Sequence, residues 1–116
     1  MFLTKQVPTV GARPNTEFIK SLGYDVLTDK GFVKVRPTLQ LVNNPRIFAM
    51  GDIIDWKEEK QAAKALGHVS VIANNVLALL GLKSGFKNYK GSFELIALSN
   101  GKVGFPVFSL AACKYD

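Results

Sequence analysis

A loop signal, Asn43-Asn44-Pro45, and a glycine-acid pair, Gly51-Asp52, enclose the apolar run Ile47-Phe48-Ala49-Met50. A continuous apolar run of this length marks a strand covered on both faces. The strand must then stop, because Gly51 permits a tight corner and a close approach of backbone to a neighbouring group. Asp52 therefore falls at the end of a sheet, where its two acceptor oxygens can bind adjacent hydroxyls of a polyol chain. The pair by itself also suits an ordinary turn or helix cap.

A chain of 116 residues suits one domain and buries roughly two-thirds of its unfolded surface, enough for a real core. Cys113 is the only cysteine, which excludes an internal disulfide and any multi-cysteine metal site. A reducing compartment is compatible with that usage. His68 is the only histidine, so a histidine-rich metal site is excluded too. The net charge of +6 favours acidic partners: phosphate, nucleic acid or anionic lipid. The basic residues are scattered, however. Lys57, Lys60 and Lys64 recur near the start of an expected helix and Lys83, Lys87 and Lys90 in a loop, which suits solvated faces or a phosphate or membrane-surface role. Without a basic stripe carrying interleaved aromatics, nucleic-acid binding has only the net charge in its favour, so no nucleic-acid partner is expected.

The spacing predicts an edge strand at 7–10, limited by Pro8, then a turn at 11–15. Asn15 or Thr16 caps a following helix, with Glu17 in its first turn and Phe18, Ile19 and Leu22 on its apolar side; Gly23 stops it. Extended pieces follow at 32–35 and 39–42, separated by Pro37. From about 59 to 80 the pattern is helical: Leu66, Val69, Ala73, Val76, Leu77 and Leu80 trace one stripe. Gly67 inside it costs up to about 1 kcal/mol against alanine, a cost that makes sense if something packs closely there. Segments 93–98 and 103–108 form a hairpin around Asn100-Gly101. The first eleven residues lack the apolar core of a signal peptide, and the apolar stretch 76–82 falls short of the roughly 20 residues that cross a bilayer.

Thr38-Leu39-Gln40 followed by Asn44-Pro45-Arg46-Ile47-Phe48-Ala49-Met50-Gly51-Asp52 resembles the C-terminal flavin motif of FAD-dependent pyridine-nucleotide oxidoreductases, in particular type II NADH dehydrogenases and apoptosis-inducing-factor-like enzymes. Gly11-Ala12-Arg13-Pro14-Asn15-Thr16 is similar to the segment that precedes that motif. Asp52, Asp55, Lys60, Ala62, Ala65, His68 and Asn75 fall in an order much like the ferroptosis-suppressor branch. The resemblance covers residues 11–104.

It implies hydride transfer from NAD(P)H through FAD to a quinone-like acceptor. Gly51 and Asp52 would hold the ribityl chain of FAD. The N-terminus of the long helix, through the backbone N–H groups of Lys60, Gln61 and Ala62, would face the flavin edge that becomes negative on reduction. The ammonium of Lys60 could add to that effect. No residue of this chain is assigned a catalytic role, and no metal is expected. The full family pattern begins with a G-x-G-x-x-G loop for FAD and carries a second one for the nicotinamide nucleotide. Neither occurs here. The expected chain is therefore a mixed α/β (α+β) fragment: a remnant of an FAD-binding sheet, one long helix, then a C-terminal β-hairpin module. Residues 1–82 would be the FAD-domain part and 83–116 the start of the interface domain. Such a piece is expected to be inactive alone and to expose strand edges and an apolar helix face, inviting a homodimer or domain-swapped oligomer. The alternative is a non-enzymatic oligomerisation or interaction module. The expected location is cytoplasmic, mitochondrial or membrane-associated; the apolar tail suits peripheral membrane contact, a cover over the sheet or contact with another protomer. His68 suits either a hydrogen-bonded structural role or a proton relay, and Trp56 either stacks on a ligand or packs on the corner.

Overall fold

The computed structural model describes residues 11, 13–23 and 25–92. The expected edge strand at 7–10 and the hairpin at 93–108 lie outside them, as does most of the expected second unit.

Short extended segments run back and forth between residues 26 and 55. Turns interrupt them every few residues, at Asp29-Lys30-Gly31, Pro37-Thr38, Asn44-Pro45 and Gly51-Asp52. Each pairing is therefore a single bridge. Leu27 faces Val33, Val35 faces Leu41 and Gln40 faces Phe48, all antiparallel; Ile54 then returns to lie parallel to Val33. The Val33 N–H donates to the Ile53 carbonyl, and the Asp55 N–H donates to the Val33 carbonyl, both at 2.8 Å. Val33 thus sits between two segments, in a core with Ile19, Val26, Leu39, Leu41, Ala49, Ile54 and Tyr89. Leu39 is fully buried and has a φ of 63°, a left-handed conformation that a branched apolar side chain rarely adopts.

The run Ile47-Phe48-Ala49-Met50 departs from expectation. Only Ala49 is buried; Ile47, Phe48 and Met50 are half-buried. The run bonds along one edge, through the Ala49 N–H to Leu39 and the Leu41 N–H to Ile47. Beside it opens an apolar hollow of about 300 Å³, with Phe18, Leu22, Met50 and Ile53 in its wall. The helix expected after residue 15 is a six-residue 3-10 helix, Glu17–Leu22. Thr16 occupies its N-cap position without capping it; its hydroxyl instead donates to the Gly31 carbonyl at 2.6 Å, tethering the next turn. Of the expected apolar side, Ile19 is buried, whereas Phe18 (71% exposed) and Leu22 face outward.

The long helix α1 spans Ala62–Leu79, beginning a few residues later than the sequence pattern suggests. The preceding segment is drawn onto the corner by Glu58 and Lys60, whose contacts hold it out of the helix. The stripe Leu66, Val69, Val76, Leu77 and Leu80 points outward, and the residues α1 buries are Lys64, His68, Asn74 and Asn75. The helix is long and apolar enough to span a bilayer by length and composition alone. Its polar side, however, is bonded to the rest of the chain. Asn75 Nδ2 donates to the carbonyls of Thr38 and Lys87, and Asn74 Nδ2 donates to that of Gly85. Residues 85–89 are thereby stitched back onto α1, across the expected division at 82/83.

Candidate functional site

Gly51 turns the chain with a φ of 77°, and a Cβ placed there would meet nothing within 4 Å. The 3-10 turn Gly51–Ile53 carries Asp52 at its tip. Asp52 is exposed, and among the described residues no hydrogen bond or ion pair holds its carboxylate.

The corner is fixed from behind. The Gly51 N–H donates to His68 Nδ1 at 3.0 Å. A backbone N–H can only donate, so Nδ1 accepts and the ring proton sits on Nε2. Nε2 in turn donates to Glu58 Oε1 at 3.1 Å. The Tyr89 hydroxyl donates to Glu58 Oε2 at 3.0 Å, and Lys64 Nζ lies 3.9 Å from the same oxygen. Glu58, Lys64 and His68 have side chains 5%, 3% and 2% exposed, so this buried carboxylate is balanced by a cation and two donors. The Tyr89 ring stands edge-on to the imidazole, with ring centres 4.4 Å apart. It reaches that position across Gly67, where a Cβ would lie 3.4 Å from Tyr89 Cε2. The close packing expected at Gly67 is this ring.

Lys60 lies outside α1, before its cap. Its ammonium donates to the carbonyls of Ile54 at 2.8 Å and Trp56 at 3.3 Å and stands 5.2 Å from the centre of the Phe32 ring. Gln61 is the N-cap and Ala62 the first helical residue; the Gln61 side chain makes no capping hydrogen bond. The structure thus ties Gly51 to α1 through His68, and Lys60 to the corner through Ile54. His68 takes the hydrogen-bonded structural place, and Trp56 packs beside Tyr89 with ring centres 5.5 Å apart. A cleft of about 680 Å³ opens beside these two aromatics, rimmed by Pro37, Asp55, Lys57 and Lys90; Asp52 is not in its wall. Among the described residues no cluster of histidine, cysteine, aspartate or glutamate could hold a metal.

Sequence reasoning missed Glu58, Lys64 and Tyr89 as a buried unit. A signal was present: Lys64, His68 and Asn75 recur at helical spacing, a polar stripe running alongside the apolar one.

No family model matches the chain. It is 49% identical over 96 residues to FAD-dependent oxidoreductase FVFD30 of Flammulina velutipes, a match covering 83% of this chain and 30% of the relative. It is 34% identical over 95 residues to apoptosis-inducing factor homolog B of Dictyostelium discoideum (80% of this chain, 24% of the relative) and 32% identical over 92 residues to ferroptosis suppressor protein 1 of Taeniopygia guttata (79% and 24%). The chain therefore spans less than a third of the length of these curated relatives. On this similarity, the chain belongs to the family of FAD-dependent oxidoreductases that includes the apoptosis-inducing factor homologues and ferroptosis suppressor protein 1, and matches one segment of it.

Proposed function

We propose that the chain forms the Gly-Asp part of a flavin site, with Asp52 binding the ribityl hydroxyls of FAD and the leading end of α1 facing the isoalloxazine. The observation that carries this reading is a carboxylate that bonds to nothing among the described residues, on a corner held from behind. Asp52 is exposed, whereas the atoms that fix Gly51 belong to a buried network. A residue kept out in water by a rigid support is arranged for something outside the chain. The residues fit that part of FAD. Open space at Gly51 admits a ligand close to the backbone, and Met50 and Ile53 offer apolar surface. The Gln61 side chain does not cap α1, and the positive end of the helix dipole there suits an electron-rich ligand edge.

Within this reading, Gln61 and Ala62 stand at the helix's leading end, and Lys60 steadies the corner by bonding the Ile54 carbonyl. The chemistry that FAD supplies when bound is acceptance of a hydride from NAD(P)H and delivery of its electrons to a quinone-like acceptor. We assign that activity to a protein of the relatives' length. We read these 116 residues as inactive alone, because they contain no G-x-G-x-x-G phosphate cradle. A visible absorption spectrum of the purified protein incubated with FAD and desalted tests the reading. Flavin bands that travel with the protein support it, and a colourless protein opposes it.

A second reading is favoured by the outward stripe of α1, with Leu66 74% and Leu80 65% exposed. Such a face suits a non-enzymatic interaction module that forms a homodimer or domain-swapped oligomer. Light scattering that gives a dimer mass across a wide concentration range supports it; a protomer mass throughout opposes it.

A further inference from the structure

We propose that His68 is the positioning residue of the Gly51-Asp52 corner, acting as an unprotonated Nδ1 acceptor that Glu58 locks in one tautomer, and that flavin affinity depends on this acceptor. The inference rests on the flavin reading above and deepens it. The Gly51 N–H is the last backbone donor before Asp52, and its partner is a side chain on a separate helix, 17 residues on. The far side of the corner is held by the bonds of Ile53 and Asp55 to Val33 and of Lys60 to the Ile54 carbonyl, whereas at its entry, where Gly51 has a φ of 77°, the bond to His68 holds the backbone N–H that leads into Asp52. The imidazole cannot reorient freely. Glu58 receives its Nε2 proton at 3.1 Å, the Tyr89 ring stands against it, and the side chain is 2% exposed. A ring flip would turn Cδ2–H toward the Gly51 N–H and Cε1–H toward Glu58, losing both bonds, and the other tautomer would set an Nδ1–H against the Gly51 N–H, donor against donor, leaving Glu58 facing an acceptor. The neighbours that enforce this are thus Glu58, Lys64 and Tyr89 behind the ring, with Gly51 in front.

The two ring nitrogens can be mimicked separately. The substitution His68→Asn sets a carboxamide oxygen where Nδ1 lies, keeping an acceptor for Gly51. The longer side chain of His68→Gln reaches the Nε2 position instead and keeps only the Glu58 contact. The experiment is an FAD titration of wild-type, His68→Asn and His68→Gln chains, followed by flavin fluorescence, with helical circular dichroism and the exchange rate of the Gly51 amide measured on each. The expected result is that His68→Gln weakens FAD binding about tenfold or more and speeds Gly51 amide exchange. His68→Asn keeps both within about threefold of wild type, with helicity equal throughout. Equal FAD affinities for the two variants, with wild type binding, would overturn the positioning role and leave the flavin reading standing. Failure of wild type to bind FAD, with a protected Gly51 amide, would overturn the flavin reading and this inference with it.

Discussion

Asn75 grips the whole peptide face of Lys87: its Nδ2 donates to the Lys87 carbonyl at 2.8 Å while its Oδ1 accepts the Lys87 N–H at 2.6 Å. The same carboxamide donates to the Thr38 carbonyl at 2.9 Å, so one fully buried side chain joins α1, the extended segments and the return at residue 87. Replacing Asn75 with aspartate removes both donated bonds and sets a charge against two carbonyls. The expected loss is about 3 kcal/mol or more of stability, read as a lower urea midpoint.

Gly67 gives the opposite sign. An added methyl would meet the Tyr89 ring at 3.4 Å, an ordinary contact distance, while alanine improves helix propensity by up to about 1 kcal/mol. Gly67→Ala is expected to leave thermal stability unchanged or raised. Gly67→Val adds branches that push Tyr89 from Glu58, and a lowered unfolding midpoint should report it.

Leu39 combines complete burial with a φ of 63°. Leu39→Ala removes core contacts and keeps the unfavourable backbone, for a cost of about 2–5 kcal/mol. Leu39→Gly loses the same contacts but relieves the left-handed conformation, worth about 1–2 kcal/mol. Glycine should therefore be tolerated at least as well as alanine here in chemical denaturation, the reverse of the usual order in a core.

The Asp25 carboxylate accepts a hydrogen bond from Lys34 at 2.6 Å; that bond, then the ammonium's charge, holds its carboxyl below the ordinary aspartate range. A folded value below the unfolded one means that the pair's stabilisation is present above the ordinary carboxylate range and is lost as pH falls through Asp25's own titration. Asp25 is 82% exposed, so water and salt screen the pair strongly. Asp25→Asn is expected to leave the neutral-pH unfolding midpoint unchanged, while a carbon-detected titration of the wild type shows Asp25 titrating below the ordinary aspartate range.

These relationships divide by range. The corner at Gly51, the helix and the need for a neighbour at Gly67 were legible because each depends on residues within a turn or two. The outward apolar stripe of α1 is the exposed helix face expected of a piece without its partner sheet; what α1 buries instead was not legible, since only the polar stripe of Lys64, His68 and Asn75 hinted at it. Glu58 and Tyr89 meet across 31 residues, beyond any local pattern. The segment at 17–22 carried good capping residues, yet Thr16 bonds Gly31 instead, a tertiary contact that overrides the local preference.

In the flavin reading proposed above, Asp52 serves a ligand and not the fold. An FAD titration of wild type and Asp52→Ala, paired with thermal unfolding of both, tests it most directly. The variant is expected to bind FAD about tenfold or more weakly while its stability stays within about 0.5 kcal/mol of wild type. Undiminished FAD binding in the variant, or a large loss of stability, would contradict it.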